Sequence, residues 1–187
     1  MNEEHTVLLR DIRLVAFDVD GVLTDGRLYY GPDGESQKVF HVRDGVALKV
    51  LPDVGIDVAV VSAKDSPALR TRLNDLGVKH AFVGCRNKLQ RLQALAEELG
   101  LAPNEIAFVG DDLVDLEVMA WCGCSLAPAD AYSLVLERAN VVLTVKGGQG
   151  VARCVADLVL NAQGLYQQAY TLAADAHFER RRDPSDR

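Results

Sequence analysis

The 187-residue chain predicts an α/β domain built on a doubly wound, Rossmann-like parallel sheet. Three observations carry that reading. Short, continuous, β-rich apolar runs recur along the chain, segments with helical spacing lie between them, and the most informative acidic residues follow directly on the runs. Runs that are apolar without alternation are characteristic of strands buried on both faces of a parallel sheet. Strands alternating with helices at these lengths place helices on both sides of it.

In chain order, the first run is Leu14-Val15-Ala16-Phe17, and it leads into Asp18-Val19-Asp20-Gly21. Residues 27 to 42, RLYYGPDGESQKVFHV, break the alternation and read as a β-hairpin insertion about Gly31-Pro32-Asp33-Gly34. Val58-Ala59-Val60-Val61 is the next strand. The helix after it has Ser66 as a cap, Pro67 in its first turn, a stripe of Leu69, Leu73 and Leu76, and Gly77 as its stop. Ala81-Phe82-Val83 precedes a second helix, with Leu89, Leu92, Leu95, Ala96 and Leu99 on one face and Gly100 at its end. Ile106-Ala107-Phe108-Val109 and Val141-Val142-Leu143 are further strands. Residues 1–165 read as one domain, and the increasingly polar 166–187 as a C-terminal tail expected to be partly disordered. Asp20 to the next helix leaves room only for the hairpin, and Ser62 to Lys88 only for one helix and one strand. No cap domain is expected.

Composition narrows the function classes. With 49% apolar and 25% charged residues the chain can bury a sizeable core, which excludes a disordered or collagenous protein. A net charge of -7 without a basic block makes nucleic acid and anionic membrane surfaces poor partners. No apolar run approaches the ~20 residues of a membrane span. The opening MNEEHTVLLRDIR lacks the layout of a signal peptide, so a cytoplasmic address is expected. Cys85, Cys122, Cys124 and Cys154 form no C-x-x-C pair and suit a reducing compartment. Cys122 and Cys124 lack a second Cys/His pair at zinc spacing, which favours plain packing over a metal site.

In open α/β sheets ligands bind outside the carboxyl ends of the strands. Asp18 and Asp20 follow the first strand, Ser62 ends the next, Asp111, Asp112 and Asp115 follow IAFVG, and Lys88 opens a helix. Taken singly, Asp112 and Asp115 are explained as helix caps and Ser62 as a strand end. Lys88 is harder to dismiss, because a cation in a first turn opposes the helix dipole. Several carboxylates converging on one sheet edge repel one another unless a cation sits among them. Oxygen ligands without His or Cys indicate Mg²⁺. A carboxylate nucleophile, a metal and a lysine together suit phosphoryl transfer. In Asp18-Val19-Asp20 the two carboxylates lie on one side of an extended chain, so one can attack phosphorus while the other exchanges protons.

These residues, Asp18-Val19-Asp20-Gly21-Val22-Leu23-Thr24, then Ser62, Lys88 and Gly110-Asp111-Asp112-x-x-Asp115, resemble the haloacid dehalogenase superfamily of phosphatases. The resemblance implies Asp18 as nucleophile and Asp20 as general acid/base. It implies Mg²⁺ held by Asp18, Asp111 and the Asp20 backbone carbonyl, Ser62 and Lys88 on the phosphoryl group, and Asp112 and Asp115 in support. Over about residues 12 to 165 the chain is similar to the 3-deoxy-D-manno-octulosonate 8-phosphate phosphatase family, through Phe17 to Gly26, His41-Val42-Arg43-Asp44-Gly45, Gly110-Asp111-Asp112-Leu113 and Gly147-Gly148-x-Gly150. That similarity implies release of a free eight-carbon sugar acid for lipopolysaccharide synthesis. It also implies substrate contacts from Asp20, His41, Val42, Arg43, Asp44, Gly45, Lys49, Lys64, Arg72 and Lys88. For Arg43 and Lys49 the competing reading is a solvated face.

The chain departs from the family pattern at three places. Ser62-Ala63-Lys64 stands where Thr-Gly-Arg is usual, Gln149 where a charged residue is usual, and Glu117 where Pro is usual. None bears on the phosphoryl chemistry; they bear on the sugar, and leave a nine-carbon keto-deoxy sugar phosphate as an alternative substrate. A non-catalytic phosphoryl-binding module of this fold is a second alternative, opposed by the intact Asp18, Asp20, Lys88 and Asp111. A receiver module has its Asp pair first and its Lys last, the reverse of this order. Nucleotide folds lack their glycine motifs here.

An uncapped phosphoaspartate site needs cover. The hairpin offers Leu28, Tyr30, Val39 and Phe40, more apolar surface than a free ribbon should show. Hairpins covering neighbouring sites in an oligomer are therefore expected, and the resemblance implies a homotetramer. The competing reading packs the hairpin on its own domain.

Overall fold

The computed structural model describes residues 3–175 and Phe178. In chain order the elements are α1 (Glu3–Leu9), β1 (Leu14–Phe17), β2 (Tyr29–Gly31), β3 (Gly34–Gln37), α2 (Val42–Asp53), β4 (Asp57–Ser62), α3 (Pro67–Asp75) and β5 (His80–Val83). There follow α4 (Lys88–Leu99), β6 (Ile106–Val109), α5 (Leu116–Trp121), β7 (Cys124–Ala127), α6 (Ser133–Arg138), β8 (Val141–Val142), α7 (Val151–Ala162) and α8 (Tyr166–Ala173).

Six strands form one parallel sheet in the order β5-β4-β1-β6-β7-β8. Side chains alternate across it. Val15, Phe17, Val58, Val60, Ala107 and Val109 enter the core beneath α1, α2, α3, α7 and α8. Leu14, Ala16, Ala59, Ile106 and Phe108 enter the core beneath α4, α5 and α6. Both faces are thus covered, which is why the strands read as unbroken apolar runs. Phe17 and Phe108 are fully buried on opposite faces. Each contributes at most about 3 kcal/mol by area.

The chain leaves β1 for β4 and β5 on one side, then crosses to β6, β7 and β8 on the other. The switch point lies between β1 and β6, where Phe17 pairs with Val109. Asp18 and Gly110-Asp111 therefore emerge side by side at the crevice such a switch creates.

Several local expectations are met in detail. Ser66 caps α3 through its side chain, Pro67 begins it, and Gly100 ends α4 in the left-handed conformation. The hairpin is β2 against β3 about Pro32-Asp33, and no cap domain separates β1 from α2 or β4 from α4 among the described residues.

Three points correct the sequence reading. Strand β7, CSLA, has small and polar residues of low strand propensity and gives no apolar signal. It is paired between β6 and β8 with Cys124, Leu126 and Ala127 buried, and Asn140 Oδ1 accepts both the N–H and the hydroxyl of Ser125 at 2.8 Å, satisfying a polar residue in the interior. Phe40 is half-buried against its own core and is not part of the hairpin's free surface. Residues 166–173, placed in the tail, form α8. It buries Ala169, Tyr170 Oη donates to Asp157 at 2.6 Å, and the Arg153 guanidinium lies 4.1 Å from the Tyr170 ring. The rest of the expected tail, apart from Ala174, Asp175 and Phe178, lies outside the described residues.

Candidate active site

The site is built at the ends of β1 and β6 and the start of α4. The N–H of Asp18 donates to the Val109 carbonyl at 2.9 Å, carrying the sheet pairing one residue past β1 and fixing the carboxylate at the crevice. Asn87 caps α4, so Lys88 is its first residue. Lys88 Nζ lies 2.8 Å from Asp18 and 2.6 Å from Asp115, with all three side chains nearly closed to solvent. Asp115 also accepts the N–H of Asp111 at 3.1 Å, while Asp112 accepts the N–H of Leu113 at 2.7 Å. Asp112 is thus the local cap the sequence allowed. Asp115 does more, since it holds the lysine.

One ammonium faces several carboxylates. Burial, then the charge of Asp115, raises Asp18 to about 6 despite Lys88. Burial, then Asp18 and Asp115, raises Asp111 to about 8. Carboxylate oxygens of Asp18, Asp111 and Asp115 lie within 4.8 Å of one another. Asp115 is already engaged, whereas Oδ1 of Asp111 is buried without a hydrogen-bond partner. A buried, unmatched carboxylate beside another is the donor set that a hard divalent cation completes.

Backbone packing leaves no slack here. Gly21 has φ of +90°, and a Cβ on it would stand 1.9 Å from Asp111 Oδ2. The late glycine loop braces the same turn: Gly148 N donates to Val22 O at 3.0 Å, and a Cβ on Gly147 would stand 2.1 Å from Gly21 O.

Asp20 is engaged from the hairpin. Its Oδ1 accepts from Lys38 Nζ, whose other carboxylate neighbour is Glu35 at 2.9 Å. Thr24 Oγ1 stands 3.5 Å from the same Asp20 oxygen. Sequence reasoning missed Lys38 and Glu35, because one lysine and one glutamate on a two-stranded ribbon read as solvated edge residues. Only the fold shows Lys38 turned inward.

The expected sugar contacts fall into separate groups. Ser62 is buried at the end of β4, its hydroxyl accepting from Lys64 N at 3.2 Å. Lys64 Nζ stands 3.8 Å from Glu35 and 5.9 Å from the Tyr30 ring centre. His41 caps α2, accepting from Arg43 N, and lines a small hollow with Asp44, Gly45 and Arg72. A Cβ on Gly45 would stand 2.7 Å from the Arg72 guanidinium. Asp44 accepts the N–H of Arg153 at 3.0 Å, which ties α2 to the first turn of α7, and burial raises its pKa. Arg43 lines a different space, a cleft of about 560 Å³ with Gln149 and Arg153. Val42 is exposed and Lys49 half-buried on α2.

A family model for haloacid dehalogenase-like hydrolases matches residues 86–155. The 3-deoxy-D-manno-octulosonate 8-phosphate phosphatase KdsC of Haemophilus influenzae is 47% identical over 156 residues, 83% of this chain and 87% of its own. The chain belongs to this phosphatase family. The Escherichia coli K12 phosphatase of the same name is 43% identical over 159 residues, 85% of each chain. The solved Yersinia pestis member matches with a TM-score of 0.87 and 40% identity over 89% of this chain and 90% of its own. The Moraxella catarrhalis member, solved with magnesium, phosphate and KDO, matches with a TM-score of 0.87 and 31% identity over 92% of this chain and 99% of its own. Within the family fold, Asp18, Asp111, Asp115 and Lys88 form one contiguous cluster, while Arg43 and Gln149 share a cleft that does not include it.

Proposed function

We propose that this chain is a Mg²⁺-dependent phosphatase that hydrolyses 3-deoxy-D-manno-octulosonate 8-phosphate to the free sugar acid and phosphate, in lipopolysaccharide biosynthesis. The observation that carries the reading is the Asp18–Lys88–Asp115 cluster beside an unmatched Asp111 at the sheet's switch point, in a chain 47% identical to a phosphatase of that substrate. Asp18 attacks phosphorus, the bond from phosphorus to the sugar oxygen breaks, and Asp20 gives that oxygen a proton. Water then attacks the phosphoaspartate, Asp20 takes its proton, and the bond between phosphorus and Asp18 breaks. Lys88 offsets the charge of Asp18, and Lys88 and the Ser62 hydroxyl would hold the phosphoryl oxygens. Asp18, Asp111 and the backbone carbonyl of Asp20 would hold Mg²⁺, which when bound supplies the positive charge that lets a phosphate dianion approach carboxylates.

The hairpin supports a homotetramer in which each copy covers a neighbour's site. Tyr30 and Val39 expose 68% and 48% of their surface, and Leu28 is exposed beside them. Four cysteines without disulfides are consistent with a cytoplasmic enzyme. Lys64 and Gln149 keep a nine-carbon keto-deoxy sugar phosphate as the second candidate.

The test is phosphate release with Mg²⁺ from both sugar phosphates and from hexose phosphates, with EDTA and Asp18→Asn as controls. Selective release from the eight-carbon ester, lost in both controls, is expected. Preference for the nine-carbon ester would move the substrate, and no Mg²⁺-dependent release from any ester would overturn the reading.

A further inference from the structure

Lys38 is a buried ammonium on an otherwise exposed two-stranded ribbon. Its side chain is 1% exposed, and the carboxylates it meets are Asp20 and Glu35. Holding such a charge out of water is costly, and an apolar residue of similar size would serve stability as well or better. The arrangement gains a fixed Asp20. Lys38 and Thr24 both address Oδ1 of Asp20, which leaves Oδ2 as the oxygen that can exchange a proton. Glu35, on β3, anchors the lysine from its far side.

We propose that Lys38 is the positioning residue for the acid/base step, orienting Asp20 so that one carboxylate oxygen faces the leaving group. The proposal rests on the reading of Asp20 as acid/base given above. It makes the hairpin part of the catalytic geometry of its own chain as well as a cover.

Leaving groups separate this role from a structural one. A sugar alkoxide needs its proton as it departs, whereas p-nitrophenolate leaves without help. Lys38→Met is expected to lower kcat on alkyl phosphates by about 10- to 100-fold, with KM nearly unchanged. On p-nitrophenyl phosphate the same variant should release its first equivalent of p-nitrophenolate within about threefold of the wild-type rate, while steady turnover falls because the water step still needs Asp20. Lys38→Arg should recover most of the loss, and Glu35→Gln, which keeps the Asp20 contact but loosens the lysine, should show a smaller loss of the same pattern. In an Asp20→Asn background, Lys38→Met should cost nothing further. Equal losses on the alkyl ester and in that first release of p-nitrophenolate, or no loss on the alkyl ester, would overturn the proposal. The substrate set is the eight-carbon sugar phosphate, glycerol phosphate and p-nitrophenyl phosphate. Wild-type activity on the last two alone would overturn the sugar assignment while glycerol phosphate still decides the role of Lys38. A wild type inert on all three would overturn both.

Discussion

The ammonium of Lys88 sits 2.8 Å from a carboxylate oxygen of Asp18, and both side chains are almost closed to solvent. A lysine at the first position of a helix opposes the dipole, and α4 accepts it only because Asp18 and Asp115 compensate. Lys88→Met removes the cation and leaves two buried carboxylates facing each other. The fold should lose about 3 kcal/mol by urea denaturation, and phosphate release should fall by about 10²- to 10⁴-fold. Near-normal turnover in a folded Lys88→Met protein would remove the lysine from the chemistry.

Asp111 makes the metal-free protein sensitive to pH. Burial, Asp18 and Asp115 raise it to about 8, above its ordinary 3.8. A carboxyl raised in the folded state favours folding while protonated, so its contribution is complete below 3.8 and disappears as pH climbs through about 8. Asp18, raised to about 6, acts in the same direction. In EDTA, thermal melts of Asp111→Asn should therefore pull ahead of wild type as pH rises, by about 2 kcal/mol at pH 8 after solvent screening is allowed for. Mg²⁺ should reverse the order by raising wild type alone. Parallel pH curves for the two proteins would show that Asp111 carries no buried charge.

Gly21 sets how closely the first loop approaches that carboxylate. Gly21→Ala combines a left-handed backbone with a Cβ 1.9 Å from Asp111 Oδ2, so Asp111 or the loop must move. A loss of about 2 kcal/mol in stability is expected, with Mg²⁺ binding by calorimetry weakened at least tenfold. Wild-type Mg²⁺ affinity in this variant would mean that Asp111 holds no metal.

How far the sequence reveals this site depends on what each residue does. Asp18, Ser62, Lys88 and Asp111 were legible because each stands at the end of an apolar run or the start of a helix, where local pattern fixes position. Strand β7 was not, since its short run is broken by Ser125, whose partner Asn140 lies 15 positions away. Helix α8 was not legible either, since its anchors are Tyr166, Ala169 and Tyr170, whose partners lie on α2 and α7. Lys38 is the clearest case. Its spacing of 18 residues from Asp20 carries no periodic signal, and only the return of the hairpin onto its own β1 loop makes the contact. Local chemistry reads from sequence, whereas contacts between distant polar residues need the fold.

Val39 distinguishes a covered hairpin from a free one. In a monomer, an exposed valine changed to aspartate shifts stability by no more than about 0.5 kcal/mol. In a tetramer whose hairpins pack together, the same change places a charge in an apolar contact and should separate the copies. Light scattering is expected to give four times the chain mass for wild type and a smaller assembly for Val39→Asp. Activity on the sugar phosphate should fall along with the mass, because each site loses its neighbour's cover. A monomeric wild type would assign the exposed Leu28, Tyr30 and Val39 to some other contact. A Val39→Asp protein that keeps the full mass would place the interface elsewhere on the chain.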